Sequence, residues 1–219
     1  CVHFLCKALR QTSEILGTEF EPTWAKIEKN LPRVCLIGRE GNEEIALWEG
    51  TALESSHRHH SHLAGIYPFD TLDPRDPRMA GIVARSIRRW VREGIGEWSG
   101  WCVPWASIIQ SRLRNGDAAA LLLEIWERVF TNEGHGTLHN VAFGGISVMG
   151  EGPVIVNGKN REIMQIEAGM AAITAVQEML LQNVDGVIRV MAGMPKRWEN
   201  ASFRGMRAEG AFLMSAERR

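Results

Sequence analysis

The sequence predicts a mainly α-helical fold that gives way to β-structure near residue 184. Three observations predict it. Apolar residues recur at three- and four-residue spacing in successive segments, as on the buried face of a helix. Helix starts and stops are written beside them, in Gly17, Asp76-Pro77, Gly94 and Asn115-Gly116. After Asp185-Gly186 the period falls to two, in Val187-Ile188-Arg189-Val190-Met191.

Residues 4–17 carry Phe4, Leu5, Ala8, Leu9, Ile15 and Leu16 at helical spacing, and Gly17 stops them. Pro22 opens a second helix with Trp24, Ile27 and Leu31, ended by Pro32. Residues 33–56 read as irregular, with Gly38, Gly41 and Gly50 as breakers. Asp76 caps a third helix with Met79, Ile82, Val83, Ile87, Trp90 and Val91. A fourth runs over about 101–114, and Asp117 is expected to cap a fifth carrying Leu121, Leu122, Ile125, Trp126, Val129 and Phe130. Short connections between these helices imply antiparallel hairpins. Residues 131–165, with several glycines and Gly152-Pro153, show no helical period, and a loop of that length is more often functional than idle. The last helix is predicted over 167–183, from Glu167 through Met170, Ile173, Val176, Leu180 and Leu181. Domain boundaries follow: 1–183 helical, 184–219 the beginning of a β-domain.

The 219 residues are 45% hydrophobic and 23% charged, with 22 Gly and 8 Pro, which excludes collagen-like, disordered and low-complexity chains. A net charge of −1 gives no bulk attraction to nucleic acid, and no apolar run is long enough to span a membrane. Four cysteines without a Cys-x-x-Cys pair read as free thiols packed in the core. Eight Trp against one Tyr suit either large core filler or stacking on sugar rings. The chain opens on Cys1 inside an apolar pattern and ends directly after a strand-like run, so it is expected to be part of a longer protein, lacking an N-terminal half. That leaves any signal peptide, and the compartment, unread.

The sharpest local feature is His57-Arg58-His59-His60-Ser61-His62-Leu63. Three readings compete. A His-x-His pair can hold a transition metal, but a metallo-hydrolase run would carry Asp where Ser61 stands, and only His135 and His139 follow downstream. Alternatively, a guanidinium between imidazoles suits an oxygen-rich ligand such as a sugar. In the third reading Arg58 pairs with Glu49 or Glu54 and the segment is structural. Glu167 stands at a helix start, where the dipole favours an ionised carboxylate, the form a general base requires. A helix-start charge without chemistry fits that position equally.

Together these segments resemble one family. His57-Arg58-His59-x-Ser61-His62-Leu63-x-Gly65-x-Tyr67-Pro68 resembles a signature of glycoside hydrolase family 95, the inverting α-L-fucosidases and α-L-galactosidases. Gly100-Trp101, Trp105 and Arg112-Leu113-x-Asn115-Gly116 resemble a second segment. Gln165-Ile166-Glu167 with Glu178-Met179-Leu180-Leu181-Gln182 resembles a third. Gly186-x-Ile188, Pro195-x-x-Trp198 and Gly205-x-Arg207-Ala208 resemble the entry to the family's C-terminal β-domain. The resemblance implies the second half of an (α/α)6 barrel followed by the start of a β-sandwich, and a carbohydrate substrate with no cofactor or metal. It places His57, Arg58 and His59 against the sugar, Trp101 and Trp105 as its apolar wall, and Glu167 at the family's catalytic Asp. In the family that Asp polarises two Asn residues that activate water, and a separate Glu protonates the leaving oxygen; both lie upstream of the His signature, and residues 1–56 hold no match to them.

The sequence also departs from the pattern. Glu167 replaces Asp, Ala168-Gly169-Met170-Ala171 replaces Gly-Asn-Phe-Gly, Asn160-Arg161-Glu162-Ile163 replaces the segment with His-Pro-Pro, and Leu47-Trp48 replaces Glu-Trp. These departures mark a divergent member and motivate a competing reading, a carbohydrate-binding or scaffold protein that has lost its chemistry.

Overall fold

The computed structural model describes residues 1–141, 146–148, 155–156, 159–160, 162–184 and 186–219. Gly152-Pro153, Asn160-Arg161 in part, and Asp185 lie outside the described residues or their side chains. The described chain is mainly helical and forms two compact units, one of residues 1–53 and 61–88 and one of residues 54–60 and 89–219.

In the first unit α1 (Val2–Leu16) stops at Gly17, whose left-handed backbone (φ 66°) costs a residue without a Cβ nothing. α2 (Pro22–Asn30) starts on Pro22, as predicted, and Arg10 of α1 pairs with Glu28 of α2. Residues 33–56 are less irregular than expected: β1 (Leu36–Ile37) and β2 (Glu44–Ile45) form a short antiparallel pair. α3 (Pro77–Glu93) begins as the sequence predicts. The Asp76 carboxylate accepts the Arg78 N–H at 3.0 Å, satisfying one of the donors that a helix start leaves without an internal acceptor. Ser86 Oγ accepts the Ile45 N–H at 2.8 Å and so fastens β2 to α3.

The second unit is organised around α4 (Cys102–Arg112), in which every residue is buried. Its sequence has no polar face, and Pro104 is tolerated because it lies in the first turn. α5 (Gly116–Val129) packs against α4 through small side chains, where Ser107 Oγ donates to the Ala119 carbonyl at 2.8 Å. Gly116 is required there, since a Cβ would fall 2.2 Å from the Met194 carbonyl oxygen. Asp117 does not cap α5. Asn115 holds the cap position, and the Asp117 carboxylate instead accepts the Lys196 N–H at 2.8 Å. The short strands β3 (Ile155–Val156) and β4 (Lys159–Asn160) pair antiparallel.

α6 (Ile166–Leu180) also packs on α4. The buried Arg112 guanidinium forks onto Glu178 at 2.6 and 3.0 Å. The helix ends earlier than predicted. The Leu180 carbonyl takes the Met191 N–H at 2.6 Å, and β5 (Leu181–Val184) follows immediately. Residues 181–183 keep apolar and polar side chains compatible with either state, so a long-range partner decides between them. β5 pairs antiparallel with β6 (Val187–Val190), and β7 (Ala201–Arg207) with β8 (Leu213–Arg218). Leu181, Phe203 and Ala208 form a small core with Ile188 and Met206.

Removing one member of a buried ion pair strands the other. Arg112→Ala is therefore expected to destabilise the protein by about 3–5 kcal/mol, read from the urea midpoint. An unchanged midpoint would show that solvent reaches Glu178 freely.

Candidate functional site

The expected site residues all belong to the second unit. His57 and His59 flank a bend at Arg58, and their rings lie 5.2 Å apart. The His59 N–H donates to His57 Nδ1 at 3.0 Å, so in the neutral ring the proton sits on Nε2. The His59 and Trp101 rings meet edge to face with centroids 5.9 Å apart, and Trp101 stacks on the buried Trp105 at 4.8 Å and 23°. The Arg58 side chain is exposed, and no hydrogen bond or ion pair joins it to another described residue, so the pairing with Glu49 or Glu54 of the structural alternative does not form. His57, Arg58, His59 and Trp101 thus come together, with Trp105 behind.

His60, which the sequence did not single out, plays a different part. It is fully buried among Trp90, Trp98 and Trp105, with ring separations of 5.0, 4.6 and 5.1 Å. Trp90 Nε1 donates to its Nδ1 at 3.2 Å, and its Nε2 donates to the Cys102 carbonyl at 2.9 Å. Those roles require the neutral imidazole with the proton on Nε2. The Cys102 thiol in turn donates to the Arg58 carbonyl. Burial pushes the Cys102 thiol up, which keeps it protonated as that donor. His60 and Cys102 therefore pin the segment on which Arg58 is displayed. The available signal was four Trp between residues 90 and 105, a concentration that needs a polar partner for each buried indole N–H.

The imidazoles do not converge as metal ligands. His60 is committed to two structural bonds, His139 Nδ1 lies 2.7 Å from Asn140 Oδ1, and among the described residues no group of three or more His, Cys, Asp or Glu side chains is placed to hold a metal.

Glu167 lies exposed in the first turn of α6. No hydrogen bond or ion pair among the described residues joins it to Arg58 or to the imidazoles. The link is indirect, through Gln165, whose Oε1 accepts the Trp101 N–H at 3.0 Å. An open groove of about 490 Å³ beside α5 and α6, lined by Trp126, Ile173 and Trp198, contains none of the expected site residues.

Partial burial lowers the pKa of His59 below its ordinary 6.5, and the charges of His57 and Arg58 lower it further. His59 is thus a neutral hydrogen-bonding group at pH 7. As pH falls below 6.5 the unfolded chain takes up this proton first, so the residue withdraws stability on acidification. An NMR titration should place the His59 midpoint below 6.5, and Arg58→Gln should move it upward. A midpoint at or above 6.5 in the parent would contradict this environment.

Comparison with known proteins agrees with the residue-level resemblance. The glycosyl hydrolase family 95 catalytic domain matches residues 1–180. An Arabidopsis thaliana protein named alpha-L-fucosidase 2 is 27% identical over an alignment of 212 positions that covers 93% of this chain. The chain spans 23% of that relative's length. With a family match over most of its residues, the chain belongs to glycoside hydrolase family 95.

Proposed function

We propose that this chain is the sugar-gripping part of an inverting glycoside hydrolase of the α-L-fucosidase type, acting on terminal sugars of oligo- or polysaccharides. The observation that carries the reading is the exposed Arg58 guanidinium, unpaired among the described residues and flanked in sequence by His57 and His59, with the His59 ring against Trp101 and Trp101 stacked on Trp105. Such a surface offers fixed donors for ring hydroxyls and an indole face for the apolar side of a sugar. The family match and the relative's name support the same chemistry.

In this proposal residues 1–183 are the second half of an (α/α)6 barrel and residues 184–219 the beginning of a β-sandwich. His57, Arg58 and His59 bind hydroxyls, Trp101 forms the wall and Trp105 backs it. Glu167 belongs to the side that activates water. The acid that protonates the leaving oxygen comes from a segment outside this chain, across about 6.5–9.5 Å as inversion requires.

Two outcomes test it. The 219-residue chain alone should leave an aryl α-L-fucoside unhydrolysed, and turnover well above background would refute the division of the site between segments. In the intact protein Glu167→Gln should lower kcat by roughly 10²–10⁴-fold, the range that acid–base groups contribute, with the melting temperature nearly unchanged. Near-parental turnover would remove Glu167 from the mechanism.

A further inference from the structure

Gln165 precedes α6 and is 8% exposed. Its backbone is fixed on both sides: its N–H donates to the Thr137 carbonyl at 2.8 Å, and its carbonyl accepts Thr137 Oγ1 at 2.7 Å. Its side chain reaches across to accept the Trp101 N–H at 3.0 Å. Trp101 is the cap residue of α4, so this N–H has no acceptor within its own helix. The neighbouring backbone is locked as well. The Gly100 N–H donates to the His139 carbonyl at 3.0 Å, and the His139 N–H to the Ile163 carbonyl at 2.8 Å. A Cβ on Gly100 would lie 1.8 Å from the Leu138 carbonyl oxygen and 3.1 Å from Gln165 Oε1. Three segments distant in sequence are therefore knotted at one point, and the only side chain bridging the first to the third in these bonds is Gln165.

We propose that Gln165 is a positioning residue for the sugar site: it holds the Trp101 wall in register with the first turn of α6, which carries Glu167. The inference rests on the reading of Trp101 as a sugar wall. Gln165 touches neither the sugar nor the reacting atoms; it acts through the Trp101 backbone. The indole ring contacts both His59 and Trp105, so a displaced Trp101 N–H moves the surface against which the sugar is held.

The test uses the intact protein with Gln165→Met, which keeps the length and removes the acceptor. Loss of one buried hydrogen bond at a binding wall should raise KM for an aryl α-L-fucoside about tenfold, with kcat within about threefold of the parent. A merely structural role would instead reduce the active fraction, lowering kcat at constant KM, and that result overturns the proposal. If the Met variant does not fold, Gln165→Asn keeps the amide but shortens its reach and is read in the same way. Hydrogen exchange at the Trp101 amide separates this proposal from the functional one. Faster exchange in the variant, at an unchanged melting temperature, supports positioning even if the parent hydrolyses no fucoside, whereas parental exchange overturns it. A parent inactive on every fucoside tested overturns the proposed function alone.

Discussion

The second unit depends on one constraint: α4 is buried on every side. A helix with no solvent face must satisfy its neighbours all round, and the sequence does so in three ways. Small residues, Ala106, Ser107 and Ser111, let α5 and the 191–195 segment approach closely. Arg112, the one charge in the helix, is met by a carboxylate from α6. The N-terminal end, Trp101 and Cys102, is met by Gln165 and by the Arg58 carbonyl. The proposed sugar site is built on that last end, so it inherits its rigidity from the core rather than from its own loop.

The histidine segment illustrates how an accessible surface and a core are made from adjacent residues. His57, Arg58 and His59 remain accessible, while His60 turns inward to a cage of three indoles. Burying a neutral imidazole is affordable only when both nitrogens are bonded, and Trp90 and the Cys102 carbonyl provide both bonds. The same residue type thus stands accessible and serves as a structural pin within four positions.

Much of the helical architecture was legible in the residues. Gly17, Pro22, Asp76-Pro77 and Gly94 act locally, through backbone conformation and capping, and they act alike wherever the chain goes. Asp117 misled because a carboxylate near a helix start has two outlets, its own backbone or a distant donor, and here Lys196 supplied the donor. The end of α6 misled for a related reason: Leu180 and Leu181 suit a helix or a strand, and pairing with residues 187–191 selected the strand. Among the site residues, the His57–His59 pair and the adjacent Trp101 and Trp105 were readable as a group. Gln165, His60 and Cys102 were not, since their importance lies in partners thirty or more residues away.

The sequence by itself determined the family, the helical character and the switch to strands, because each is written in local spacing or in a contiguous motif. Tertiary structure alone decided that His60 is buried while His57 is exposed, that Arg58 has no side-chain partner among the described residues, and how the segment bearing Glu167 is tied to Trp101. Those outcomes depend on hydrogen bonds between distant segments competing for the same donors and acceptors, and no local pattern encodes which partner arrives.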